Sequence, residues 1–432
     1  MNFSSFRLKT FSILYFIRGK FDLLKKALIP VGGLGTRLYP LTVDTSKPMV
    51  RFLNNFLIDY ILSELAYKGI DEVFLGVSGY YNYRDLFDHL GERFRIKIKN
   101  KRKVLRIRYQ PNEESIGNAH SIKLMADYFD LNDEMLVVQG DTVSDLDLQN
   151  LYKFHESSDA FMTIVLKEID DMEKLKQYGV AKIDENMNIE SFIEKPKSPE
   201  EAPSRQVNTG IYLLSEDFIR FIRSSEFNDM IKLGKGDFGK DVIPYLISKK
   251  YKVTGFVSKG YWFDVGTLDV YRDAAYYLLN NLPKDRLDVE TSYKNVMMQG
   301  RSTMSKNLHI ELIEKAALKR IAFEGKNLIG RHVKIEDNVV LIDSIIDNYS
   351  IIENDNKIVK SIVMDRSYIK KGNLIENSII GRHTKIGEDV KIVNSYIGNN
   401  VIIGDESEIV NSSIWPHRSI ESKSQINDKK II

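Results

Sequence analysis

Five serines, Ser344, Ser361, Ser378, Ser395 and Ser412, recur every 17 residues in the phrases DSII, KSIV, NSII, NSYI and NSSI. The same spacing lines up aliphatic residues in three columns. Ile329 is followed by Ile346, Val363, Ile380, Ile397 and Ile414. Six residues further along come Ile335, Ile352, Ile369, Ile386, Ile403 and Ile420, and six further again Leu341, Ile358, Ile375, Ile392, Ile409 and Ile426. A 6, 6, 5 recurrence fits neither the 3.6-residue period of a helix nor the alternation of a half-buried strand. It suits a three-sided parallel β-helix, each coil stacking its aliphatic corners on the next to make one continuous core. The spacing predicts such a domain over residues 327–432.

A chain of 432 residues is long for one core, and the part before the repeats reads differently. Short apolar strand candidates, ALIPV (27–31), EVFLGV (72–77), RIRYQ (106–110), MLVVQG (135–140), FMTIVL (161–166) and NTGIYLL (208–214), alternate with amphipathic stretches at 56–69 and 117–129. That alternation predicts an α/β domain with an open, mostly parallel sheet over 25–280, and ligands of such sheets bind beyond the carboxyl ends of the strands. The basic run KIKNKRKVLRIR at 97–108 reads as an edge hairpin with charged outer faces. Residues 281–326 are polar and read as a connector with a short helix near 307–321. Residues 1–24 read as a dispensable N-terminal extension: FSILYFI is followed by Arg18 and Lys20, not by a small-residue cleavage site.

The overall charge of +2, with both signs interspersed, implies no pull toward nucleic acid or an anionic membrane. With no cysteine, disulfides, thiolate zinc sites and cysteine nucleophiles are excluded, and a cytoplasmic setting is expected. No apolar run approaches the roughly 18 residues that span a bilayer.

The first strand candidate runs into GGLGTRLYPLTVDTSKPM. Gly32, Gly33 and Gly35 let the backbone turn through positive φ and let a ligand approach the main-chain N–H groups. Arg37 and Lys47 add two cations, so a polyanion is the natural guest; the plain alternative is a tight turn. Leu38 stands where a dinucleotide fingerprint needs its third glycine, Pro40 and Pro48 spoil a following helix, and no GxxxxGK[ST] loop is present. Asp141 and Asp264 are either turn residues or a carboxylate pair for magnesium. Glu194 and Lys195 in FIEKP are either a surface ion pair or a site for a sugar phosphate, with Pro196 fixing the loop.

In order and spacing, GGLGTRLYPLT, SKPM, QPNEESIGNAHS, VVQGD, YGVAKI, IEKP, NTGIYLL and YWFDVGT resemble the motifs of sugar-1-phosphate nucleotidyltransferases that carry a C-terminal left-handed β-helix. The resemblance implies a Rossmann-like catalytic domain and a Mg²⁺-dependent reaction of a nucleoside triphosphate with a sugar 1-phosphate, releasing pyrophosphate. It assigns Gly32, Gly33, Gly35, Thr36, Arg37 and Lys47 to the triphosphate, and Gln110 and Gly117 to the nucleobase. It assigns Gly179, Glu194, Lys195 and Asn208 to the sugar phosphate, and Asp141 and Asp264 to the metal. Arg37, Lys47 and Lys195 would carry the catalytic charge. The segments GDTVSDLDL and GDFGKDVIP look most like mannose-1-phosphate guanylyltransferases, with glucose-1-phosphate thymidylyl- or uridylyltransferases as the alternative. Small molecules, not nucleic acid or membrane, are the expected partners, together with further copies of the chain through the β-helix. Two readings of other kinds stay open: a non-catalytic regulatory subunit, and a second, acetyl-transferring activity using His332, His383 or His417.

Overall fold

The computed structural model describes residues 24–33, 35–98, 101–112 and 115–432; the predicted extension therefore lies outside the described residues except for Leu24. They form two compact units. One comprises residues up to Gly33 and then Ile58–Asp264; the other comprises Leu34–Leu57 and Val265–Ile432.

The first unit is built on a ten-stranded sheet. In chain order its strands, with one side ladder, are β1 (Lys26–Val31), β2 (Glu72–Ser78), β3 (Arg93–Ile98), β4 (Lys101–Asn112), β5 (Met135–Val138), β6 (Thr142–Ser144), β7 (Met162–Glu168), β8 (Gly179–Ile183), β9 (Ile189–Glu194), β10 (Gln206–Leu214), β11 (Val253–Val257) and β12 (Trp262–Asp264). The order across the sheet is β9-β8-β10-β5-β1-β2-β4-β3, with β7 on β10 and β11 on β7, while β6 and β12 pair separately. β1 is parallel to β2 and β5, and β2 to β4. This explains why ALIPV carries no polar alternation: Ala27, Leu28 and Ile29 are fully buried, as strands covered on both faces must be. The basic run forms the expected edge, β3 lying antiparallel to β4 and alternating between exposed and half-buried residues. One large core joins Leu28, Val137, Ile164 and Tyr212 of the sheet to Ile122, Phe218 and Phe238.

The second unit contains the β-helix. Its strands stack parallel in three sheets, and partners differ by 17 residues, as in Ile345↔Ile362, Ile351↔Tyr368 and Lys357↔Leu374. All three aliphatic columns point inward; every member except the half-buried Ile420 is buried. The coils turn at three corner columns of left-handed backbone, among them Asp343, Lys360, Asn377, Asn394, Asn411 and Asp428 with φ between 44° and 53°. Asn and Asp tolerate this conformation best among residues with a side chain. A second corner column holds His332, Tyr349, Arg366, His383, Asn400 and His417, so the three histidines share one geometric position. The serines form a ladder: Ser395 N donates to Ser378 Oγ at 3.0 Å, and that hydroxyl donates to the Glu376 carbonyl at 2.7 Å.

Residues 281–326 hold more structure than a connector with one short helix. A hairpin of Val289–Tyr293 and Val296–Gln299 places its second strand parallel to Asn327–Ile329, and Ile321–Glu324 pairs with Val339–Ile342. The helix runs Thr303–Ala317, earlier than the 307–321 expected, because Ser302 caps it by accepting from Ser305 N at 3.1 Å.

A core of stacked columns loses most at its middle. Ile375→Ala is expected to lower unfolding free energy by about 2–5 kcal/mol, while Ile420→Ala at the less covered end costs about half as much or less. Denaturant unfolding of the two variants checks the difference.

Candidate active site

The register of the first unit carries the motif residues to the carboxyl edge of its sheet. Val31 lies opposite Val77, and Ser78 opposite Asn112, so β1, β2 and β4 end side by side with β5. Gly32 and Gly33 leave β1 there, Gln110 lies two residues before the end of β4, and Asp141 follows β5. β10 runs antiparallel to β5, with Ile211 opposite Val138, so Asn208 extends past that edge. β8 and β9 continue outward from it, with Val180 opposite Val207 and Gly179 opposite Glu194.

Glu194 is the most constrained of these groups. A Cβ on Gly179 would stand 2.6 Å from its Oε2, and a Cβ on Gly239 would overlap the same atom. Both glycines are therefore required by the carboxylate's position. Burial pushes the Glu194 carboxyl above the ordinary glutamate range; the Lys195 ammonium, 3.9 Å away, acts in the opposite direction and Asp237 reinforces the rise. Lys195 has φ 49°, its N–H donates to the Tyr178 carbonyl at 3.0 Å, and its side chain is exposed. The backbone thus turns sharply after Glu194 and leaves the two neighbouring charges 3.9 Å apart, the carboxylate half-buried and the ammonium exposed. Asn208 sits in a β-bulge, its Nδ2 donating to the Tyr212 hydroxyl at 2.9 Å and its Oδ1 accepting from Gly210 N at 3.0 Å.

Gln110 is buried; its Nε2 donates to the Pro111 carbonyl at 2.6 Å, and its Oε1 has no hydrogen-bond partner. An unpaired buried acceptor at a sheet's ligand edge suits a donor brought by a guest. Gly117 precedes the helix Asn118–Tyr128, and a Cβ there would stand 2.5 Å from the carbonyl carbon of Gly236. Asn118 Oδ1 accepts from Phe238 N at 2.8 Å, and the Gly236 carbonyl accepts from His120 N at 3.0 Å. These bonds tie the segment after β4 to the loop 236–239 that confines Glu194.

Asp264 ends β12 directly opposite Thr142, which brings it beside Asp141 although 123 residues separate them in sequence. Both are half-buried. Among the described residues no cluster holds three or more His, Cys, Asp or Glu in a metal-binding arrangement. Two carboxylates leave room for other oxygen ligands, the donor set a hard divalent cation takes together with phosphate and water.

In the second unit the glycine loop is firmly shaped. Gly35 has φ 60° and opens a single turn, Thr36–Leu38; Thr42 Oγ1 donates to its carbonyl at 2.7 Å. Leu38 and Leu41 are buried, which leaves Thr36 and Arg37 exposed above them. Pro48 occupies the next turn, Lys47–Met49, with Met49 N bonded to the Ser46 carbonyl at 2.9 Å, and Lys47 is half-buried. Each cation therefore projects from a fixed turn.

Residues 26–281 match the family model described as nucleotidyl transferase, well over half of the chain. The chain belongs to the nucleotidyl transferase family. Residues 323–432 match the model described as GMPPB C-terminal domain. The chain is 29% identical over 333 residues to a glucose-1-phosphate adenylyltransferase of Mycoplasma mobile, covering 73% of this chain and 84% of that protein. It is 28% identical over 318 residues to a UTP–glucose-1-phosphate uridylyltransferase of Synechocystis sp., covering 73% and 76%. The resemblance to sugar-1-phosphate nucleotidyltransferases read from the motifs is borne out.

Sequence reasoning missed Asp237 and Gly239 as neighbours of Glu194. GDFGKDVIP contains them, but nothing in the sequence reveals that this loop folds against FIEKP. No helix of the described residues is long and apolar enough to cross a membrane.

The Glu194 environment is directly testable. Its carboxyl, followed by NMR, is expected to titrate above the ordinary value of about 4.3. Asp237→Asn removes a negative neighbour and lowers the midpoint, whereas Lys195→Met removes a positive one and raises it.

Proposed function

We propose that this nucleotidyltransferase joins a nucleoside monophosphate from a nucleoside triphosphate to a sugar 1-phosphate and releases pyrophosphate. The observation that carries the reading is the carboxylate of Glu194, held between Gly179 and Gly239 beside Lys195, on the sheet edge that also bears Gln110 and the Asp141–Asp264 pair. A confined carboxylate next to an exposed ammonium suits a guest with hydroxyl groups at one end and a phosphate at the other.

A phosphate oxygen of the sugar 1-phosphate attacks the α-phosphorus. The new P–O bond forms as the bond to the β-phosphate bridging oxygen breaks, and pyrophosphate leaves with the electron pair. The nucleophile is already ionised at neutral pH, so no general base is needed, and the obstacle is repulsion between two polyanions. Fixed positive charge and positioning then supply most of the catalysis. Arg37 and Lys47, with the N–H groups of Gly32, Gly33, Gly35 and Thr36, neutralise the triphosphate and the departing pyrophosphate. Lys195 holds the incoming phosphate. Glu194 and Asn208 accept hydrogen bonds from sugar hydroxyls, Gly179 leaves the space that Glu194 needs, and Gln110 with Gly117 lines the base. Asp141 and Asp264 would hold a magnesium ion, which would supply further positive charge to the reacting phosphates.

For substrates we favour GTP with mannose 1-phosphate, on the look of GDTVSDLDL and GDFGKDVIP. A second reading, glucose 1-phosphate with UTP or ATP, is supported by the names of the two relatives, a glucose-1-phosphate adenylyltransferase and a UTP–glucose-1-phosphate uridylyltransferase. The β-helix, with its flat faces, serves self-association.

Pyrophosphate release with Mg²⁺, measured for five nucleoside triphosphates against mannose, glucose and N-acetylglucosamine 1-phosphates, is expected to give one dominant pair. A blank grid from folded protein would favour a regulatory role. Asp141→Asn is expected to lower turnover by about 10²-fold or more, the scale of losing one preorganised electrostatic element. Because Glu194 must be ionised to accept from two hydroxyls, kcat/KM for the sugar phosphate should fall on acidification at a pH above the ordinary glutamate value, and Glu194→Gln should abolish that limb. Light scattering should find a species larger than the 49.8 kDa monomer.

A further inference from the structure

Arg51 is a guanidinium only 7% exposed, four residues after Lys47. Its Nε and Nη2 donate to the two oxygens of Asp347, each at 2.7 Å, and its Nε lies 3.5 Å from Asp365 Oδ1. Asp347 and Asp365 belong to successive coils of the β-helix and are 2% and 6% exposed. Arg382, one coil further on, donates to Asp365 at 2.6 and 3.2 Å, and both guanidiniums lie over the ring of Phe56, at 4.8 and 5.6 Å. One buried and one half-buried guanidinium thus close on two buried carboxylates, with an aromatic face beneath them.

The rest of this segment is fastened to the same unit. Asn348 Nδ2 donates to the Asn54 carbonyl at 3.0 Å, and the Tyr271 hydroxyl to the Arg51 carbonyl at 2.7 Å. Asn399 Nδ2 donates to Asp44 at 2.8 Å, the other Asp44 oxygen lies 3.3 Å from His417 Nε2, and Tyr39 packs edge-on against Trp415 at 5.0 Å. Residues 39–56 therefore run along several coils and are anchored at both ends. Of the proposed triphosphate cations, Lys47 lies within the stretch so fixed and Arg37 two residues before it. Burying an ion pair adds little net stability, but removing one partner strands the other charge and frees what the pair held.

We propose that the Arg51–Asp347–Asp365–Arg382 cluster is a positioning device by which the β-helix sets the geometry of the nucleotide-handling turns at Arg37 and Lys47. The role of those two cations rests on the function proposed above; the clamp itself does not. The β-helix on this account contributes to nucleotide handling in each single chain.

The test compares Asp347→Asn and Arg51→Lys, which keep shape but lose the two-point charge pair, with Asn373→Ala, which removes a buried link of the β-helix well away from this segment. Asn373 Oδ1 accepts from Val390 N at 2.6 Å, so the control loosens the coils without touching residues 34–57. Amide hydrogen exchange across residues 36–50 is expected to quicken by about tenfold or more in both clamp variants and to stay near wild type in the control, tenfold being the effect of roughly 1.4 kcal/mol. In steady-state kinetics kcat/KM for the nucleoside triphosphate should fall by about tenfold in the clamp variants while KM for the sugar phosphate stays within about twofold. Unchanged exchange in the clamp variants, or equal quickening in Asn373→Ala, overturns the proposal. So does quickened exchange with unaltered triphosphate kinetics. A wild-type protein that turns over no substrate pair would defeat the functional reading alone, and the exchange comparison would still decide whether the clamp exists.

Discussion

The second unit depends on backbone hydrogen bonds that join each coil to the next in strict 17-residue register. Ile345 N donates to the Ser361 carbonyl, Ile362 N to that of Ser378 and Ile379 N to that of Ser395, each at 3.0 Å. A slip of one residue would turn the aliphatic columns out to water and force β-branched residues into the left-handed corners. The polar chemistry of the unit inherits this register. Asp365, Arg382 and Asn399 occupy one column because they are 17 residues apart, and that column receives Arg51 and Asp44 from the glycine-loop segment.

In the first unit, position is achieved by exclusion. Glu194 stays where it is because two glycines leave it room and nothing larger fits. Burial alone would favour the neutral acid, and Lys195 offsets that tendency without neutralising the carboxylate through a close bond. At 3.9 Å the Lys195 pairing is too long for a direct hydrogen bond, which leaves the carboxylate oxygens able to accept from a guest. Gln110 illustrates the same principle with an uncharged acceptor.

Much of this was legible in the sequence, for identifiable reasons. The β-helix could be read because its contacts are periodic: Ile375 meets Ile358 and Ile392 by arithmetic. The strands around the glycine loop could be read because a strand buried on both faces is a short apolar run. The three corner columns carry an Asn, Asp and His bias that follows from their left-handed backbone. Contacts between segments of unrelated pattern stayed hidden. Nothing in RFLNNF predicts that Arg51 closes on Asp347, and nothing in FGKDV predicts that Gly239 makes room for Glu194. These depend on how finished elements pack, which no local pattern encodes. The helix Thr303–Ala317 starts four residues before the expected 307 because its start is fixed by the single Ser302 cap and not by an apolar period.

The Arg51–Asp347 pair also bears on how the chain is made. Its partners are 296 residues apart, and at roughly 5–20 residues per second a ribosome needs on the order of 15–60 s to go from one to the other. Throughout that interval an arginine destined for the interior, and the two cationic turns before it, have no coil to dock on. The N-terminal sheet can assemble strand by strand as it emerges, but the segment interrupting it must wait for the last quarter of the chain. Docking of residues 34–57 therefore comes late in synthesis, and a nascent chain halted before Asp347 would carry Arg37, Lys47 and Arg51 with no coil to receive them.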